Sequence, residues 1–196
     1  KSLKGMKLSL ENLIQCMEEY PIIAALKNME SLDKCKDANC RIAFILFGDL
    51  CSIGDIVNKV KDMGKYAIVH IDLIAGLGSK EVAVDYIKKN INADGIITTK
   101  PALIRRAKEL SLFAIQRSFL IDSLAYDNLI NQSLEYDPDV IEILPGCLFK
   151  VINKLCKKIK TPLIAGGLIT DKSDVINALK AGAVAVSSSN EKIWYL

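Results

Sequence analysis

Eight short apolar runs, rich in β-branched residues, recur about every 23 residues along the chain, and a segment of helical period follows each of them. The runs are Ile22–Leu26, Ile42–Phe47, Ala67–Ile71, Gly95–Thr98, Phe113–Arg117, Val140–Leu144, Pro162–Ala165 and Ala183–Ser187. Strands covered on both faces read as continuous apolar runs, and that is the signature of a parallel sheet. Strict strand–helix alternation places the chain in the α/β class with right-handed crossovers. Eight units of similar length, none with the polar character of an edge strand, favour closure over an open doubly wound sheet. The expected fold is a compact (β/α)8 TIM-type barrel. Ser9–Tyr20, with Leu10, Leu13, Ile14 and Met17 apolar, reads as one extra N-terminal helix placed to plug the barrel bottom. A short C-terminal helix follows Asn190. Residues 1–196 are expected to form one barrel domain, close to the ~200-residue floor for such folds.

Local signals agree with this frame. Ser79, Asp122 and Asp171 each precede a helical segment and are good N-cap types. Pro101 falls where a first-turn proline is tolerated, and Gly64 and Gly182 fall at helix ends, where left-handed caps occur.

Composition excludes several classes. Hydrophobic residues make up 51% and charged residues 25% of the chain, the balance of a globular protein. No apolar run approaches the ~18 residues of a membrane span. The start, KSLKGMKLSLEN, has no apolar stretch of the secretory kind, so a cytoplasmic protein with no membrane partner is expected. Six cysteines form no C-x-x-C pair and the chain has one histidine, which argues against a zinc cluster and for small buried thiols in a reducing compartment. With 26 Lys+Arg against 23 Asp+Glu, the net charge is only +3. Three basic clusters stand out: Lys154–Lys160, Lys88-Lys89, and Arg105-Arg106 with Lys108. Each lies in an expected helix, where a basic run usually makes a solvated face.

Barrels of this kind bind ligands at the carboxyl ends of their strands. Those ends carry Asp49, His70 and Asp72, Thr98-Thr99-Lys100, Gln116-Arg117, Glu142, Gly166-Gly167, and Ser188-Ser189-Asn190. Buried polar groups are costly unless paired, so their gathering at one end points to a site. The last two loops give the sharpest signal. Gly166-Gly167 let backbone N–H groups approach an anion, and Ser188-Ser189 precede a short helix, the usual place of a barrel phosphate site. His70 and Asp72, two apart, are expected on one strand face, as a ligand-gripping pair, an acid–base pair, or a satisfied core histidine with a structural aspartate. Glu142 would accept from ligand hydroxyls or hold a neighbouring cation. Gln116 and Arg117 are adjacent, so alternation points only one inward unless the strand is already ending; Arg117 is the better anion partner, with an outward, structural arginine as the alternative. Asp49, Asp72 and Glu142 lack metal-ligand spacing, so neither a metal nor a cofactor is expected. On these residues alone, a small phosphosugar enzyme of the lyase or isomerase type, using His70, Asp72 and Glu142, competes with a ligand-gated regulator. No lysine lies inside a strand to form a Schiff base, and no connection has the length of a lid.

The stretches HIDLIAGL (70–77), DGIITTK (94–100), AIQRSFLID (114–122), IEILPG (141–146), IAGGLI (164–169) and KAGAVAVSSSNEKIW (180–194) carry a resemblance. In that order the chain resembles the glycerol-3-phosphate-responsive antiterminator proteins of the bacterial glycerol uptake operon, from about Ile22 to Trp194. The resemblance implies a regulator rather than an enzyme, one that senses glycerol 3-phosphate and acts on leader mRNA to prevent termination. It implies that Gly166, Gly167, Ser188 and Ser189 hold the phosphate, with Asp49, His70, Asp72, Arg117 and Glu142 around the glycerol end. It assigns no RNA surface. Eight units and a leading helix leave no segment for a separate RNA module, so RNA contact falls to the barrel's own helices or to a homo-oligomer interface.

Overall fold

Every apolar run expected to be a strand is one in the computed structural model, which describes residues 10–196. In chain order the elements are α1 (Leu10–Glu19), β1 (Ile22–Leu26), α2 (Met29–Cys35), β2 (Ile42–Ile45), α3 (Ile53–Asp62), β3 (Tyr66–His70), α4 (Glu81–Asn90) and β4 (Gly95–Thr98). There follow α5 (Pro101–Glu109), β5 (Phe113–Phe119), α6 (Ser123–Tyr136), β6 (Val140–Leu144), α7 (Phe149–Cys156), β7 (Leu163–Gly166), α8 (Lys172–Lys180) and β8 (Ala185–Ser188). Two 3-10 turns, Ile71–Leu73 and Glu191–Tyr195, complete the chain. The strands are all parallel and close in sequence order, β8 pairing with β1.

Period-two alternation divides the strands between two cores. Ile23, Phe44, Ile68, Ile97, Ile115, Val140, Ile164 and Ala185 fill the barrel interior. Their sequence neighbours Ala24, Ala43, Val69, Ile96, Ala114, Ile141, Ala165 and Val186 pack outward with the helices. Leu13 and Met17 of α1 are fully buried in the interior cluster, so this helix closes the amino end of the barrel as its spacing implied. The expected start of that helix at Ser9 lies outside the described residues.

Differences from the sequence reading sit at element ends. β2 stops at Ile45 rather than Phe47, because Gly48, at φ +108, turns the chain so that Asp49 can bridge Ala75. β5 runs on to Phe119, held by pairing of Ser118 and Phe119 with Ile143 and Leu144. β7 and β8 begin one and two residues later than expected. Asp122 and Asp171 cap α6 and α8 as expected, but α4 starts at Glu81 after Lys80, with no side-chain cap. Ser79 instead accepts a hydrogen bond from Lys100 Nζ at 2.9 Å. All six cysteines are free, and Cys51 and Cys147 are exposed rather than buried.

Candidate functional site

The alternation that fills the barrel with Ile, Phe and Val turns polar at its uppermost layer. Continuing inward from Ile68, Ile115, Val140, Ile164 and Ala185, the next inward positions are His70, Arg117, Glu142, Gly166 and Ser187. Arg117 and Glu142 are register partners on β5 and β6. Arg117 Nε lies 2.5 Å from Glu142 Oε2, and the Glu142 side chain is only 1% exposed. Ser187 donates its hydroxyl to Glu142 Oε1 at 2.5 Å. A Cβ on Gly166 would stand 2.4 Å from that same oxygen and 2.7 Å from Ser187 Oγ. The glycine on β7 is therefore what lets the carboxylate of β6 reach across to β8. Glu142 thus takes the second role read from the sequence and holds Arg117, whose terminal amino groups make no hydrogen bond among the described residues. Gln116 points the other way, its Nε2 donating to Gln132 of α6 at 2.6 Å, which settles which of the adjacent pair faces the barrel axis.

His70, 3% exposed, has no partner for Nδ1 among the described residues. Burial, with the Arg117 charge adding to it, lowers its pKa to about 4 against the opposing pull of Asp72. The imidazole is accordingly neutral at pH 7. The unfolded imidazole binds its proton near 6.5 and the folded one only near 4. Between those values the unfolded chain holds more protons, so stability falls as pH falls through this window. Urea midpoints measured from pH 7 to pH 4 should decline in the native protein and decline less steeply in His70→Gln; parallel curves would contradict this account.

Asp72 does not share the strand face of His70, because β3 ends at His70 and a 3-10 turn carries Asp72. Its carboxylate accepts from Thr98 Oγ1 at 2.8 Å, from Thr99 N at 2.7 Å and from Thr99 Oγ1 at 2.9 Å, with Lys100 Nζ at 3.4 Å. Burial raises its pKa, but the bonds from Thr99 and Thr98 outweigh burial and the net shift is downward. Asp72 ties the loop after β3 to the loop after β4. Asp49 is exposed and accepts from Cys51 N, Ser52 N and Ser52 Oγ within 2.9 Å, fastening the turn before α3. The barrel mouth thus brings His70, Arg117 and Glu142 together, while Asp49 Oδ1 and both carboxylate oxygens of Asp72 are engaged by loops.

The last two loops meet beside this cluster. Gly167 adopts φ +72, and the backbone N–H groups of Gly167, Leu168 and Ser189 have no acceptor among the described residues. The Ser188 hydroxyl turns outward, donating to Ile169 O at 3.0 Å and accepting from Asn190 N. Asn190 Nδ2 donates to Thr170 O at 3.0 Å, and Trp194 Nε1 donates to Ser188 O at 2.7 Å, so the two loops brace each other. From the neighbouring loop, Gly146 N donates to Gly166 O at 2.6 Å and to Gly167 O at 3.0 Å. A Cβ on Gly146 would stand 2.8 Å from Gly166 N. Ser187, the hydroxyl that grips Glu142, was passed over in the sequence for its neighbours. Counting two positions on from Ala185 would have found it. Among the described residues no three His, Cys, Asp or Glu side chains gather to hold a metal ion.

Fold and mouth together define a TIM-type (β/α)8 barrel with a buried polar cluster at the carboxyl end, where barrels of this class bind small ligands. Residues 22–194 match the family model for the glycerol-3-phosphate responsive antiterminator, and the chain belongs to that regulatory family. It is 42% identical over 184 residues to the uncharacterized protein YgcP of Escherichia coli K12, covering 94% of this chain and 96% of that one. It is similar in structure to the glycerol uptake operon antiterminator regulatory protein of Listeria monocytogenes, with TM-score 0.86, 31% identity and 99% and 98% of the two chains covered. The antiterminator-related protein of Thermotoga maritima aligns with TM-score 0.80 and 34% identity, covering 89% of this chain and 98% of that one. Orotidine 5′-phosphate decarboxylase from Pyrococcus horikoshii, at 18% identity, shares the barrel fold alone.

Proposed function

We propose that the protein is a non-catalytic sensor of glycerol 3-phosphate that regulates glycerol uptake and metabolism genes by antitermination on leader mRNA, in the cytoplasm. The observation that carries the ligand half of this reading is the pairing of unengaged backbone donors at Gly167, Leu168 and Ser189 with a half-buried Arg117 whose terminal amino groups have no hydrogen-bond partner among the described residues. A phosphate takes backbone N–H groups and a guanidinium fork readily. The loops carrying Gly166, Gly167, Ser188 and Ser189 then seat the phosphate, and His70 and Glu142 face the glycerol hydroxyls. Asp49 and Asp72 support the mouth through their loops. Catalysis is disfavoured because Glu142 is already committed to Arg117 and Ser187, leaving neutral His70 without a partnered base or acid.

At a hundredfold excess over its dissociation constant, glycerol 3-phosphate should stabilise the fold by about 2.7 kcal/mol. A chain of this size converts each kcal/mol into ~2–4 °C, so a rise of roughly 5–11 °C is expected by differential scanning fluorimetry. Glycerol and inorganic phosphate, tested separately, should each give less. An unchanged melting temperature at millimolar glycerol 3-phosphate would sink the sensor reading, and turnover of a phosphosugar lost in His70→Ala would replace it with an enzyme. In-vitro transcription through the leader, with and without glycerol 3-phosphate, tests the regulatory half.

A further inference from the structure

The three basic clusters of the sequence have different fates in the fold. On α5, Arg106 is paired to Asp85 at 2.6 Å and to Glu109 at 2.7 Å, and Lys108 is paired to Asp139. Arg105 lies 4.0 Å from Glu135 and over the Tyr136 ring. On α4, Lys88 donates to Ser111 O at 3.3 Å. Lys88 and Lys89 make no ion pair among the described residues, and neither do the lysines of the third cluster, which Lys150 and Lys180 extend into one groove. Lys150, Lys154 and Lys157 recur at helical spacing on one exposed stripe of α7 and its C-terminal turn, with no ion pair among the described residues. Lys180, at the end of α8, faces the same groove and also has no ion pair among the described residues. That groove is lined by Phe149, Asn153 and Asn177 besides these four lysines, and no carboxylate lines it. Asn153 Nδ2 donates to Ala181 O at 3.3 Å and ties the two helices together.

On the far side of α7 a second groove, of about 860 Å³, runs between α6 and α7. Lys154 and Lys157 border this groove too, and Lys158 sits 5.2 Å above the Tyr126 ring. Tyr126, Leu148 and Val151 give it an apolar wall, while Asp127 of α6 and the capping Asp122 line it from the other side. The four-lysine groove is the acid-free side.

We infer that the α7–α8 face is where the RNA strand docks, its phosphates along Lys150, Lys154, Lys157 and Lys180. The inference rests on the proposed action on leader mRNA and adds the surface to it. A chain of only +3 net charge cannot attract a polyanion everywhere, so binding needs a place where cations are concentrated and unpaired. Lysines four and three apart rise along a helix by ~6 and ~4.5 Å, a row suited to successive phosphates. Amide side chains and an aromatic ring in the same groove suit splayed single-stranded bases.

The test uses the full chain and a fluorescently labelled leader transcript of the glycerol uptake operon, titrated by anisotropy at several salt concentrations. Two variants are compared, each losing four exposed lysines: Lys150→Ala/Lys154→Ala/Lys157→Ala/Lys180→Ala, and Lys36→Ala/Lys59→Ala/Lys89→Ala/Lys192→Ala. Exposed lysines carry little stability, so both should keep the native melting temperature. The first should lose at least tenfold in affinity and its salt slope should fall by ~3, at ~0.7 per phosphate contact on a single strand. The second should stay within about twofold of the native protein. Equal binding by both variants and the native chain, or equal weakening in both, overturns the surface and leaves the RNA reading standing. A native chain that binds no transcript at low salt overturns that reading and this surface with it. Should the first variant lose binding to phosphatidylglycerol vesicles while its RNA binding is intact, the face belongs to an anionic membrane and the inference fails.

Discussion

Replacing Glu142 by alanine should lower stability by about 3–5 kcal/mol, the usual cost of stranding one member of a buried ion pair. At ~2–4 °C per kcal/mol this is a fall of roughly 6–20 °C in melting temperature. The reason lies in what remains. Arg117 keeps its charge, its side chain only 10% exposed, with no carboxylate beside it, and Ser187 loses its acceptor. The double variant Arg117→Met/Glu142→Leu should recover most of that loss, since apolar pairs of similar volume replace buried ion pairs with little cost. It should nevertheless show no thermal response to glycerol 3-phosphate. That combination would show that the pair is kept for the ligand rather than for the fold. A single Glu142→Ala variant losing less than about 1 kcal/mol would contradict the buried-pair account.

The second large effect is steric. Gly166→Ala puts a methyl group 2.4 Å from Glu142 Oε1, and Gly146→Ala puts one 2.8 Å from Gly166 N and 2.9 Å from the Ala165 carbonyl carbon. In the first case the carboxylate must leave Arg117 or β7 must retreat. In the second, backbone meets backbone, so the mouth between β6 and β7 must open. Overpacking of this kind costs typically 1–3 kcal/mol or more, and both variants should lose the stabilisation by glycerol 3-phosphate. Gly78→Ala is the control: it meets nothing within 4 Å and its φ is ordinary, so its urea midpoint should match the native value or rise slightly. A Gly166→Ala protein with native stability and native ligand response would remove the close-approach argument.

Strand positions were legible because a covered parallel strand must be apolar on both faces, and Ile42–Ile45 or Val140–Leu144 can be little else. Alternation also placed Glu142 inside from Val140 without further information. What the residues did not reveal were the points where the chain leaves the strand. Asp72 looked like the face-mate of His70, but its carboxylate is drawn to Thr98 and Thr99, 26 and 27 residues away. Asp49 looked like a ligand group, and local hydrogen bonds to Cys51 and Ser52 engage it instead. The basic clusters were indistinguishable for the same reason. Only the fold brings Asp85 to Arg106 and Asp139 to Lys108, and among the described residues it forms no ion pair to Lys150 or Lys154.

The glycine-to-glycine hydrogen bonds at the mouth tie two distant parts of the molecule mechanically. Gly146 grips the carbonyls of Gly166 and Gly167, and three residues later Phe149 begins α7. The proposed phosphate seat and the lysine-bearing helix are therefore joined by one short segment. An anion that settles on the Gly167 loop and shifts it must drag the first turn of α7 along or break those two bonds.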